Sequence, residues 1–241
     1  MKVSVIIPAA GASRRFGGKQ KKIFERLKDR PVFIRSIELF VNRDDVCQVQ
    51  LVVAKEDLET MQTRYAANIG FMGVQLTVGG PERSDSVRNA LANVSDQADF
   101  ICVHDAVRPC VSPLWIDSVF AAAGKVGSAI LAYPVHGTLK QVDGRERVAG
   151  TLQRQALWEA QTPQVFRREV LIRAYAQADG PATDDAALVE ALGEPVAVVR
   201  CDPRNIKITT RSDLALAAAV VDSLPRPKRR QAGGPFDEAQ W

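Results

Sequence analysis

Val3-Ser4-Val5-Ile6-Ile7-Pro8 opens the chain with a run of apolar, mostly β-branched residues. Such a run predicts a strand buried on both faces, because Val and Ile suit a pleat covered by helices above and below. Similar runs return at Val49–Val53, Val74–Val78, Phe100–His104 and Ser128–Val135. Between them apolar residues recur at helical spacing. Phe33, Ile37, Phe40 and Val41 share one face of a helix expected to open at Asp29-Arg30-Pro31, with Asp29 as N-cap and Pro31 in the first turn. Leu58–Ala67 and about Asp85–Val94 read as further helices, the second capped by Ser84 or Asp85. Pro113–Val126 reads as a helix ended near Gly124. Strand and helix alternate through residue 135, the pattern of a parallel sheet with helices on both faces.

Residues 136–151 break the alternation. Thr138–Val142 and Arg147–Thr151 flank Asp143-Gly144, a strong turn signal, and predict a β-hairpin projecting from the sheet. A lone hairpin is marginal in water, so this one is expected to pack on its own domain or on a second subunit. A helix at Arg168–Ala178 follows, and Thr183-Asp184-Asp185 caps another that runs through Leu192. Val196–Cys201 and Asn205–Ile208 read as short strands, and Ser212–Val221 as a closing helix. The pattern therefore predicts one α/β domain over 1–223, a Rossmann-like, mostly parallel sheet with a hairpin arm at about 136–154. Residues 224–241, rich in Pro, Arg and Gly, read as a disordered basic tail.

Composition changes this picture little. The chain has 241 residues, 46% hydrophobic and 25% charged, as expected of a soluble globular protein. No apolar run reaches membrane-spanning length, and Met1-Lys2 leads straight into a strand without a signal peptide. Cys47, Cys102, Cys110 and Cys201 have no C-x-x-C spacing, which points to a reducing, cytoplasmic compartment. The net charge of +4 does not imply nucleic acid, since half of it lies in the tail and aromatic residues are few.

On such a sheet, ligands bind beyond the carboxyl ends of the strands. Three loops lie there: Ala9–Lys22, Gly79–Asp85 and Asp105–Cys110. The first reads as a phosphate grip. Small residues Ala9, Ala10 and Gly11 let a ligand approach the backbone, and Arg14, Arg15, Lys19, Lys21 and Lys22 supply charge. It is neither a G-x-G-x-x-G fingerprint nor a Walker A loop, which would need Gly at Ser13 and Ser or Thr at Gln20. In the second loop Gly79 and Gly80 permit positive φ and close approach of a ring or ribose, while Asp85 and Ser86 offer hydrogen bonds. In the third, Asp105 stands where a hard cation bridging phosphates is held. His104 reads as structural, and Arg108 as either an ion-pair partner of Asp105 or Asp85 or a substrate contact.

Six motifs then occur in order: Pro8-Ala9-Ala10-Gly11-x-x-Arg14-Arg15, Gly79-Gly80-x-Glu82-Arg83-x-Asp85-Ser86-Val87, His104-Asp105-Ala106-x-Arg108-Pro109, Thr162-Pro163-Gln164-x-Phe166, Thr183-Asp184-Asp185-Ala186 and Asn205-Ile206-Lys207. Over about residues 3–222 the chain resembles the 2-C-methyl-D-erythritol 4-phosphate cytidylyltransferases. The resemblance implies a nucleotidyltransferase-type fold and transfer of CMP from CTP to methylerythritol phosphate with release of pyrophosphate. It implies that Arg15 and Lys22 stabilise the pentacoordinate phosphorus. It assigns Ala9, Ala10, Gly11, Gly80, Asp85 and Ser86 to the nucleotide, and Asp105 to Mg²⁺. Arg154, Lys207, Thr138, Thr183 and Arg108 fall to the acceptor. It also implies a homodimer interlocked by the arm, with Arg154 serving the partner's site. Lys21-Lys22-Ile23-Phe24 stands where the family has Pro-Lys-Gln-aromatic, so Lys22 keeps its seven-residue spacing from Arg15 with Lys21 beside it as a competitor. Gly137 stands where an Asp precedes the hairpin Thr. Ribitol-5-phosphate cytidylyltransferase and a non-catalytic nucleotide-binding protein on this fold are the alternative readings.

Overall fold

The computed structural model describes residues 1–18, 20–178, 180 and 182–227. Lys19 and the end of the basic tail, 228–241, lie outside the described residues.

In chain order the elements are β1 (Val3–Pro8), β2 (Arg26–Leu27), β3 (Arg30–Pro31), α1 (Val32–Glu38), β4 (Val46–Val53), α2 (Leu58–Thr63), α3 (Ala66–Phe71), β5 (Gln75–Val78), α4 (Arg83–Leu91), β6 (Phe100–Val103), α5 (Pro113–Val126), β7 (Ser128–Pro134), β8 (Leu139–Val142), β9 (Val148–Leu152), β10 (Trp158–Arg167), α6 (Arg168–Ala176), α7 (Asp185–Ala191), β11 (Ala197–Arg200) and α8 (Arg211–Val220). A seven-stranded sheet has the order β11-β7-β10-β6-β1-β4-β5. Only β10 runs antiparallel to its neighbours β6 and β7; the other pairings are parallel.

β1 is central because both its faces are apolar. Val3, Val5 and Ile7 pack into one core with α1, α5 and Ala217 of α8, while Ile6 enters a second core with α4, α6 and α7. Each buried aliphatic side chain contributes about 1.5–3 kcal/mol, so this alternation specifies a three-layer sandwich.

Several expectations need correction. Arg30-Pro31 pairs with Arg26-Leu27 in a small hairpin, and α1 begins only at Val32 with Pro31 at the cap. Asp29 accepts instead from Arg35 Nη2 at 2.6 Å. The predicted Leu58–Ala67 helix is two short helices, α2 and α3. α4 starts at Arg83, capped by Glu82 with Asp85 as its reciprocal partner, so neither Ser84 nor Asp85 is the N-cap. α5 spans Pro113–Val126 as predicted, running through Gly124 and stopping at Gly127, whose φ is 106°. Asn205–Ile208 is not a strand; it is a loop tied to its neighbours by side chains.

β10 is the strand that the apolar pattern does not announce. Its centre, Gln161-Thr162-Pro163-Gln164, is polar and contains Pro, yet Gln161, Thr162 and Gln164 are buried. Their side chains are used: Gln161 accepts from Asn205, Thr162 accepts from the Asp105 N–H, and Gln164 donates to Asp184. A shift in register between Gln161 and Gln164 accommodates the Pro.

The expected arm is present. β8 and β9 form a two-stranded sheet of their own, separate from the main sheet. Leu224 packs against the larger core and the Pro225 carbonyl accepts from Ser112 Oγ at 2.6 Å, so the chain is anchored at the start of the predicted tail.

Candidate active site

The carboxyl ends of β1, β5 and β6 surround a cavity of about 260 Å³. Ala9, Ala10, Gly11, Arg15, Lys22, Gly80, Ser86, Asp105 and Lys207 all line it. A second cavity of about 270 Å³ adjoins it, lined by Arg108, Thr162, Gln164, Thr183 and Asp184. Arg83, Asp105 and Lys207 line both.

The small residues matter for close approach. The Ala9 N–H is taken by the Val52 carbonyl at 2.7 Å, continuing the β1–β4 ladder. Ala10 and Gly11, whose N–H groups have no acceptor among the described residues, form the cavity wall. Gly79 and Gly80 do not have positive φ. They are needed for space: a Cβ on Gly79 would lie 2.6 Å from Ser86 Oγ and 2.8 Å from Ala10 Cβ. The Gly80 N–H donates to Ser86 Oγ at 3.2 Å, which turns this loop toward the cavity.

Asp85 is the exception among the expected nucleotide contacts. Its carboxylate accepts from the Glu82 N–H and from Arg88, so it is spent on the start of α4 and lines neither cavity.

The two adjacent lysines have opposite fates. Lys21 Nζ turns away to Asp57 at 2.7 Å and Glu56 at 2.9 Å. Lys22 enters the cavity, and its pKa is lowered, first by burial and then by Lys207 and Arg15. The site without ligand thus carries an excess of positive charge. Its loop is pinned by Phe16, which is buried under the Arg211 guanidinium at 5.2 Å, and by the Lys22 N–H, which donates to Ser13 Oγ at 3.3 Å.

Asp105 lies at the centre of a cationic ring. Oδ1 accepts from Arg83 Nε at 3.1 Å, and Oδ2 lies 2.7 Å from Lys207 Nζ and 3.8 Å from Arg108 Nε. Burial alone would raise its pKa, but Arg83, Lys207 and Arg108 hold it well below the carboxylate range. Both oxygens are therefore engaged by side-chain cations. No group of three or more potential metal-ligating side chains exists among the described residues. Asp105 is the carboxylate that lines both cavities, and a hard cation there would take its remaining ligands from bound phosphates. Its partner Arg83 also donates to Asp185 Oδ2 at 2.8 Å, and Tyr175 donates to Asp185 Oδ1 at 2.5 Å.

Arg108 is nearly buried. Nη1 donates to the Asn205 carbonyl at 2.7 Å, while Nε has no hydrogen-bond partner. An unspent buried donor is costly unless a ligand uses it. Asn205 also donates to Gln161 Oε1 and the Thr162 carbonyl, and the Ile208 N–H donates to the Val107 carbonyl, which together fix the loop that carries Lys207. His104 is fully buried as expected. Its Nε2–H donates to the Arg108 carbonyl, and Nδ1 accepts from the Thr162 hydroxyl. Burial pushes its pKa down to about 4.

Thr138 and Arg154 are not brought in. Both are exposed on the arm, Arg154 donates to the His136 carbonyl, and neither lines either cavity. The sequence reading gave no role to Arg83 or Gln164, and to Asp184 only that of a helix cap, which it fills by accepting from the Ala187 N–H. All three stand in the motifs, but their remaining contacts run between distant segments.

Comparison with known proteins points to a single enzyme family. The family model of 2-C-methyl-D-erythritol 4-phosphate cytidylyltransferase matches residues 3–223. The enzyme of that name from Rhodopirellula baltica is 41% identical over 235 residues, 91% of this chain and 95% of the relative. That from Symbiobacterium thermophilum is also 41% identical, over 93% of this chain and 94% of the relative. The crystal structure of the enzyme from Thermus thermophilus superposes with a TM-score of 0.77 at 32% identity, covering 92% of this chain and all of that one.

Proposed function

The chain belongs to the 2-C-methyl-D-erythritol 4-phosphate cytidylyltransferase family, which converts CTP and 2-C-methyl-D-erythritol 4-phosphate into 4-diphosphocytidyl-2-C-methyl-D-erythritol and pyrophosphate, a step in isoprenoid precursor synthesis, and we propose how its residues do so. The observation that carries the reading is the pair of adjoining cavities sharing Arg83, Asp105 and Lys207. Two phosphorylated substrates seated in them meet at that common wall.

CTP occupies the cavity of Ala9–Gly11, Gly80 and Ser86, with its triphosphate toward Arg15 and Lys22. Methylerythritol phosphate occupies the other, with its phosphate on Lys207 and Arg108 and its hydroxyls near Thr183. The unspent Arg108 Nε supports an acceptor there. An oxygen of the acceptor phosphate attacks the α-phosphorus, a new P–O bond forms, and the bond to the bridging oxygen breaks with its electron pair leaving on pyrophosphate. The attacking phosphate is anionic at neutral pH, so no general base is needed. Catalysis consists of alignment and of charge placed at the crowded phosphorus by Arg15 and Lys22. Asp105 acts as a counter-ion that holds Lys207 and Arg83 in place.

A divalent cation is typical of this family. With both Asp105 oxygens engaged by basic side chains, no step here is assigned to one.

The arm supports a homodimer. Val142, Val148 and Leu152 are exposed on a hairpin that the main sheet does not pair, and Trp158 is exposed at its base. A second subunit covering them would also take Thr138 and Arg154 to its own acceptor cavity. The described residues contain no helix long and apolar enough to cross a membrane, and the four cysteines are free, which favours a cytoplasmic setting.

The test is pyrophosphate release from CTP with each acceptor. Release with methylerythritol phosphate supports the reading; release with ribitol 5-phosphate alone would overturn it, and release with neither would favour a nucleotide-binding protein.

A further inference from the structure

We infer that Lys21 is a positioning residue, whose ion pair with Asp57 and Glu56 aims Lys22 at the reacting phosphates. The inference deepens the function proposed above and rests on the role given there to Lys22.

Two consecutive lysines compete for one cavity that already contains Arg15 and Lys207. The backbone decides between them. Lys21 is extended, with φ −65° and ψ 142°, and Lys22–Phe24 form a single 3₁₀ turn. The backbone changes from extended to helical between them, so the two side chains leave in different directions, Lys21 to Asp57 and Lys22 to the cavity. Fixing Lys21 therefore holds the start of the turn that carries Lys22.

Lys21 is fixed on the far side. Asp57 and Glu56 lie in a short turn, Lys55–Asp57, at the carboxyl end of β4, the strand beside β1. Lys21 Nζ bridges both acids, and the Asp57 side chain is only 9% exposed. Burial works against the charge of Lys21, but hydrogen bonds to Asp57 and Glu56 outweigh it and raise its pKa. A buried carboxylate needs its partner, so the pair resists opening. Just beyond, Ile23 and Phe24 are buried, and Phe24 stacks on Tyr65 with ring centroids 5.7 Å apart. The turn is thus held to the strand end on one side and to the core beneath, and Lys22 has the cavity left to it.

The arrangement also sets the charge of the site. With Lys21 neutralised outside, the basic groups that line the cavity meet the phosphates alone; with Lys21 released, a further cation competes for them.

Steady-state kinetics on six variants of the full chain test this, with folded fraction and Tm recorded for each. Lys21→Ala and Asp57→Asn are each expected to lower kcat about tenfold, the cost of misplacing one charge donor, with the KM for CTP changing less than about threefold. The double variant should be no worse than either single one, because both remove one contact. Lys21→Arg should restore kcat. A φ of −65° is that of proline, so Lys21→Pro in the Asp57→Asn background should recover kcat through backbone stiffness alone. A purely structural role would lower Tm and leave kcat per folded site unchanged, which would overturn the inference. Additive losses, or a Lys21→Ala loss that Asp57→Asn does not share, would also overturn it by making Lys21 a direct phosphate contact. Lys22→Ala measured alongside separates the two levels. Full turnover in Lys22→Ala refutes the role of Lys22 itself, whereas loss there with normal Lys21→Ala and Asp57→Asn refutes only the clamp.

Discussion

Lys22 shows how burial and neighbouring charge prepare a site for an anion. Its pKa is lowered from 10.5, first by burial and then by Lys207 and Arg15. A bound triphosphate favours the charged form and raises that pKa again. CTP binding should therefore take up a proton at alkaline pH, and affinity should fall as pH rises through the lowered pKa of the free enzyme. Calorimetric titration with CTP in two buffers of different ionisation heat measures the uptake, and Lys22→Met should abolish it. In catalysis, Arg15→Ala and Lys22→Ala should each reduce turnover by about 10²-fold, or about 3 kcal/mol, the loss typical of one preorganised charge donor. Single-turnover rates at saturating substrates give the comparison. Neither effect is expected for Arg14, which is exposed and lines neither cavity.

At the scale of elements, the arm and β10 differ in what their sequences reveal. The arm is announced by Asp143-Gly144 between two short runs, and β8 and β9 pair around that turn. Its partner is a matter of assembly. If Arg154 acts in the other subunit's site, mixing inactive Arg154→Ala and Lys22→Ala dimers should recover activity. Random exchange makes about half the dimers mixed, each with one intact site, so about a quarter of wild-type turnover is expected. No recovery after verified subunit exchange means that Arg154 serves its own chain or none. β10 escapes the apolar pattern because its buried side chains are polar. Their hydrogen bonds go to Asn205, Asp105 and Asp184, and each of these partners lies at least twenty residues away in sequence. Periodicity sees a polar segment, whereas the fold sees a satisfied one.

Across the whole molecule, His104 links the site to stability. It is buried and neutral, with a pKa of about 4 against 6.5 for a free histidine. The unfolded chain therefore binds this proton first as pH falls. The contribution is fully present above pH 6.5 and declines toward pH 4, by on the order of 3 kcal/mol. Urea unfolding at intervals between pH 7 and 4 should show this loss, and a substitution of His104 by Asn that still folds should flatten it.

Much of the architecture and part of the site could be read before any coordinates. The apolar runs predict β1, β4, β5, β6 and β7, and the six motifs mark the loops that line the two cavities. The sequence by itself determined the alternation of buried strands and covering helices, since that depends on local periodicity of side-chain type. It also determined the small and basic composition of the rim. Only the tertiary structure decided that Lys22 rather than Lys21 enters the cavity, that the Asp85 carboxylate turns back to the Glu82 N–H and Arg88, and that Asp105 is ringed by Arg83, Arg108 and Lys207. The physical reason is the same in each case. Neighbouring residues of like chemistry are distinguished by which distant charge or carbonyl meets them, and chain folding alone creates those meetings.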